Sequence, residues 1–81
     1  MIISATEVRF DNDTMWVSLD DGRVLGIPLA WFPKLLMATT AQRLSYELSA
    51  GGIHWDSLDE DISIAGLIAG RSDRTINRPA A

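Results

Sequence analysis

Met15-Trp16-Val17-Ser18-Leu19-Asp20-Asp21-Gly22-Arg23-Val24-Leu25-Gly26-Ile27-Pro28-Leu29 reads as two strands and a tight loop. Met15, Val17 and Leu19 share one face of the first run, and Leu25, Ile27 and Leu29 share one face of the second. That is the period-2 spacing of half-buried strands. A two-residue Asp21-Gly22 loop would set Trp16 opposite Ile27 and Ser18 opposite Leu25, dividing the aliphatic residues between both faces. A three-residue Asp20-Asp21-Gly22 loop, a type I turn with Gly22 as a left-handed bulge, sets Val17 opposite Leu25 and Met15 opposite Ile27. This second register gathers one apolar face and is the one expected. On the reverse face it puts Trp16 across from Gly26, where an indole can cover a residue that has no side chain. Pro28 suits a strand end or a sheet edge.

Working outward, Ser4 to Phe10 alternates Val8 and Phe10 with Glu7 and Arg9, giving a preceding strand, and Asp11-Asn12-Asp13 forms the turn between them. After the hairpin, Trp31 and Phe32 lead into a short helix with Pro33 in its first turn. Thr39 and Gln42 have capping-box spacing, and Ala41, Leu44 and Leu48 recur at helical intervals, so a second helix is expected to run on to a stop at Gly51-Gly52. Ile53-His54-Trp55 and Ile62-Ser63-Ile64 read as short extended segments, and Ala65 to Ala69 as one helical turn before Gly70. The expected fold is therefore a single small α+β domain over residues 1 to 70: a three-stranded antiparallel meander, one or two helices and a short returning strand. Residues 71 to 81 are polar and expected to be a disordered tail.

Eighty-one residues hold one hydrophobic core, with net stability on the order of 3–5 kcal/mol. With 47% hydrophobic and 22% charged residues the chain has the balance of a folded domain. It has no cysteine, which removes disulfide scaffolds, thiolate zinc sites and cysteine nucleophiles, and suits a reducing compartment. No apolar run approaches the roughly 20 residues of a membrane span, and no signal peptide is legible, so a cytoplasmic location is expected. Charge is unevenly spread: residues 1 to 70 carry ten acids against Arg9, Arg23, Lys34 and Arg43, a net −6, while the tail sets Arg71, Arg74 and Arg78 against Asp73. An acidic body opposes approach to nucleic acid, although the three tail arginines could contact phosphates.

The densest group of chemistry-bearing residues is His54, Asp56, Asp59, Glu60 and Asp61. A histidine with four carboxylates could bind a divalent cation or move protons, but the spacing matches no metal loop, and one histidine is few for zinc. Carboxylates ahead of a strand or helix are more commonly caps, solvated groups or partner contacts. There is no nucleophile elbow and no phosphate loop, since Gly51-Gly52 lacks the accompanying lysine. No catalytic residue, metal site or cofactor is expected. Trp31 and Trp55 read first as core material, whereas Trp16 lies opposite the aliphatic face. With Val24 and Pro28 it would be exposed if helices cover one side of the sheet, and a second copy of the chain could then cover it.

Asp21-Gly22-Arg23, then Ile27-Pro28-Leu29-x-Trp31-Phe32-Pro33-x-Leu35, Ala41-x-Arg43, Gly52-Ile53-His54-Trp55 and Leu58-Asp59-Glu60-Asp61-Ile62 follow one another in an order that resembles the domain-of-unknown-function family 2442. The resemblance spans nearly all of residues 3 to 70. It implies a small prokaryotic α+β domain, in some members fused to a helix-turn-helix, and often encoded beside a short partner in pairs described as toxin-antitoxin modules. By that resemblance the chain is the antitoxin-like member, a non-catalytic interaction module that covers a small basic partner, the toxin, encoded nearby. From the aromatic residues and the acidic cluster above, its expected contacts are Trp16, Trp31, Phe32, His54, Trp55, Asp59, Glu60 and Asp61. The alternatives are a small DNA-binding regulator using Arg71, Arg74 and Arg78 as a homodimer, and a metal-binding domain built on His54 to Asp61. Arg43 is expected to pair with Asp59 or Asp61 and tie its helix to the C-terminal segment.

Overall fold

The hairpin adopts the register that gathers the aliphatic face: Met15 pairs with Ile27, Trp16 with Gly26 and Val17 with Leu25. Its loop closes with Leu19 N donating to Arg23 O at 2.8 Å, and Gly22 sits at φ +93°, the left-handed conformation that a glycine adopts without a Cβ clash. Asp21 braces the turn by accepting from Arg23 N and Nε, and these bonds lower its pKa. Trp16 covers Gly26 so closely that a Cβ there would lie 2.7 Å from Trp16 Cζ3.

The computed structural model describes residues 2–70. The expected disordered tail, with Arg71, Arg74 and Arg78, lies outside the described residues. Strands β1 (Ala5–Phe10), β2 (Thr14–Leu19) and β3 (Val24–Pro28) form one antiparallel sheet in the order β1-β2-β3. A 3-10 turn at Leu29–Trp31 leads to α1 (Pro33–Leu36) and α2 (Thr40–Leu44). Strands β4 (Glu47–Ser49), β5 (Gly52–Trp55) and β6 (Glu60–Ser63) form a second antiparallel sheet, with a 3-10 turn at Asp56–Leu58, and α3 (Ile64–Ile68) follows. The fold is thus mixed α and β, with two three-stranded antiparallel sheets and a few short helices.

Two local expectations are re-phased by the tertiary structure. In β1 the pairing shifts between Ala5 and Glu7, an irregularity that lets Ala5 and Val8, three positions apart, both reach the core. The second change is larger. Thr39 and Gln42 do form the capping box, but the helix ends at Leu44, and Leu48 belongs to β4, paired with Ile53. Where a single returning strand was expected, the chain therefore builds a whole second meander. Gly51, read as a helix stop, is the left-handed turn of the β4–β5 hairpin at φ +73°. Tyr46 explains the switch: its hydroxyl accepts the Val8 N–H at 3.2 Å and its ring lies 6.4 Å from that of Trp55, contacts that a continued helix would not make.

One core draws on both sheets. Met15, Val17 and Ile27 from the first and Ile53, Trp55 and Ile62 from the second join Leu29, Phe32, Leu35, Ile64 and Leu67. The edges that face each other are covered. β4 contacts β1, Gly51 N donates to Ser4 Oγ at 3.0 Å, and α3 packs on β3. Because the Val8 N–H points off the edge of its sheet, Tyr46→Phe should lower stability by about 1 kcal/mol in urea unfolding and speed exchange of the Val8 amide. Unchanged exchange would mean that the hydroxyl does not protect this edge.

Candidate functional site

The acidic segment divides into groups with different tasks. Asp59 ends the 3-10 turn at φ +50°, a conformation that aspartate tolerates better than most residues, and its carbonyl accepts Lys34 Nζ at 2.9 Å. Glu60 is buried, opposite Trp55 in the β5–β6 ladder. Asp61 faces outward and binds His54 Nδ1 at 2.6 Å, while Asp56 lies 3.4 Å from Nε2.

Both ring nitrogens of His54 thus face carboxylates, and only the doubly protonated imidazolium can donate to both. The Asp61 bond, then the Asp56 bond, raises the His54 pKa above its ordinary 6.5. Glu47 stands across the ladder on β4, so the imidazolium lies in a row between Glu47 and Asp61. The two carboxylates favour its protonated form, and their bonds tie β5, β6 and the 3-10 turn together at the surface. Among the described residues, no three His, Asp or Glu side chains are placed to hold a metal ion.

Of the residues singled out as partner contacts, Phe32, Trp55 and Glu60 are interior, and Trp31 is half-buried against the core. They offer a partner little or nothing. Trp16, Asp59 and Asp61 are exposed and His54 partly so. Trp16 donates from Nε1 to Asp11 Oδ2 at 2.7 Å and shares the exposed reverse face with Val24 and Pro28.

Arg43 does not pair with Asp59 or Asp61. Its Nε donates to Leu35 O at 2.8 Å and its Nη2 to Leu36 O at 2.9 Å, supplying the carbonyls that a four-residue α1 cannot satisfy within itself. A helix end that must stop short draws the guanidinium fork more strongly than exposed carboxylates do.

The residues missed in the sequence lie around this arginine. Leu36, Met37 and Leu44 are 42%, 82% and 58% exposed, all within the segment that runs from α1 to α2. Beside them a cleft opens between α2 and the β1–β2 turn, lined by Phe10, Asp11, Asn12, Asp13, Thr40, Arg43 and Leu44. The spacing of Ala41, Leu44 and Leu48 predicts a longer helix with Leu44 inside it, whereas α2 ends at Leu44. The available signal was the Ser45-Tyr46 break in helix-forming residues.

Two outcomes follow. Arg43→Ala should cost about 2 kcal/mol, and Arg43→Lys should restore less than half of it, because an ammonium cannot reproduce the fork to two carbonyls; full rescue by lysine in thermal unfolding would contradict this role. For His54 the folded pKa is raised, so its contribution is complete below the unfolded value of 6.5 and is lost as pH rises through the folded value. The Tm gap between wild type and His54→Gln should accordingly be widest below pH 6.5 and narrow as the pH rises above it. A gap that widens with pH would reverse the assignment.

A crystal structure of a protein of unknown function from Rhodospirillum rubrum superposes with a TM-score of 0.76 at 28% identity, covering 90% of this chain and 93% of that one. The solution structure of an uncharacterized protein, CV0863, from Chromobacterium violaceum gives a TM-score of 0.76 at 24% identity over 89% of this chain and 70% of that one, a likeness of fold alone. No curated protein matches. The family model described as "Protein of unknown function (DUF2442)" matches residues 5–73, and the chain belongs to that family.

Proposed function

We propose that this domain is a non-catalytic protein-interaction module, antitoxin-like in action, which covers the working surface of a small basic partner. The observation that carries the reading is the exposed aliphatic surface of Leu36, Met37 and Leu44 on α1, α2 and the turn between them. A domain of this size with a closed core gains nothing by leaving three large aliphatic side chains in water, and such patches commonly mark contact sites. Met37 adds a flexible, polarizable side chain suited to adapting to a partner. Ten acids against four bases over residues 1 to 70 favour a basic partner and speed its approach. The reading includes a cytoplasmic setting, with which a chain that needs no disulfide is compatible.

The DNA-binding alternative depends on Arg71, Arg74 and Arg78, outside the described residues, and no observation favours it. A homodimer across Trp16 and Val24 is a weaker reading, because the Trp16 indole is already engaged by Gly26 and Asp11.

Co-expression with the product of the adjacent open reading frame should yield a complex that survives gel filtration. Met37→Lys should weaken it by about tenfold or more, whereas Val24→Thr on the reverse face should not. Failure to co-purify, with no relief of any growth defect caused by the neighbour, would overturn the proposal.

A further inference from the structure

We propose that the cleft between the β1–β2 turn and α2 seats a basic amphipathic segment of the partner, with an arginine or lysine against Asp11 and Asp13 and an aliphatic side chain against Leu44. This deepens the interaction reading above and rests on it.

The cleft joins two unlike walls. Asp11 and Asp13 stand on the turn side, both exposed, and Leu44 stands on the helix side with more than half of its surface in water. Asp11 is held in place, since its Oδ2 accepts the Trp16 indole N–H at 2.7 Å. A carboxylate offers about four lone-pair sites, so one bond from an indole leaves it able to accept a cation as well. Asp13 is steadied by the Thr14 hydroxyl, which donates to its Oδ1 at 3.0 Å. Carboxylates fixed before binding reduce the ordering that binding would otherwise require.

Arg43 is the cation in the lining, but its guanidinium is directed at the carbonyls of Leu35 and Leu36 and lies over the Phe10 ring at 6.0 Å. Its charge answers the C-terminal end of α1 rather than the two aspartates. A cationic occupant is therefore favoured over an acidic one, and over a second copy of this chain, whose body would bring six further net negative charges. The apolar wall selects a segment that carries aliphatic residues beside its basic ones.

The test uses the isotope-labelled full chain and a short amphipathic helical peptide carrying arginines beside leucines, with a matched peptide in which glutamate replaces arginine. The arginine peptide should shift the amide resonances of Phe10, Asn12, Thr40 and Leu44 and bind more weakly as salt is raised, while the glutamate peptide leaves them unmoved. Asp13→Lys combined with Leu44→Ser, verified as folded by the resonances of the buried Trp55, should weaken binding by about tenfold or more. Equal binding of the glutamate peptide, shifts centred on another face, or no shift at about millimolar peptide would overturn the proposal. If the neighbouring gene product co-purifies equally well with this double variant, the cleft assignment fails and the interaction reading stands. If the peptide binds as expected and no gene product co-purifies, the cleft stands and that choice of partner fails.

Discussion

Trp55 is the point at which the separate parts of this domain are fastened together. Its side chain is fully buried between elements that are distant in sequence, and its indole N–H donates to the Arg43 carbonyl at 3.0 Å. The same arginine reaches with its guanidinium to the end of α1, and Tyr46 connects the Trp55 ring to the outer edge of β1. β5, α2, α1 and β1 are thus held through Arg43 at one helix end and one aromatic pair. Helices of four and five residues have too few internal hydrogen bonds to persist alone, so their existence depends on these tertiary contacts.

That dependence shapes the surface. Short helices bury only a narrow stripe, which leaves Leu36, Met37 and Leu44 outside while Leu35 and Phe32 are enclosed. The β-edges, by contrast, are largely occupied, with Tyr46 and Ser4 on one side and α3 on the other. Exposed apolar side chains occur on the strands, at Trp16, Val24 and Leu48, as well as on the α1–α2 segment, where Met37 is the most exposed of all. A sheet edge would recruit any extended chain, whereas a helix surface beside two fixed aspartates can discriminate by charge.

The carboxylates that dominate the sequence prove less uniform than their clustering suggests. Asp21 closes a turn, Asp59 ends a 3-10 turn in a left-handed conformation, Glu60 is inside, and Asp61 holds an imidazolium. The apparent site at residues 54 to 61 is mostly architecture. Asp11 and Asp13, which read merely as turn formers, stand instead beside exposed apolar surface.

The amino-acid sequence alone determined the β2–β3 register, the Gly22 bulge, the covering of Gly26 by Trp16 and the capping box at Thr39. Each depends on side-chain parity or on hydrogen bonds within a few residues, and only one local arrangement satisfies the pattern. The order of the family's segments was legible in the same way. Tertiary structure decided the rest: whether residues 45 to 49 continued a helix or became a strand, which carbonyls drew the Arg43 guanidinium, and which of Phe32, Trp55 and Glu60 were enclosed. The strand turns on the Val8 N–H, remote in sequence from Tyr46, and the arginine on the carbonyls of Leu35 and Leu36, which need a partner only because α1 stops after four residues; neither unmet hydrogen bond is written in the local pattern.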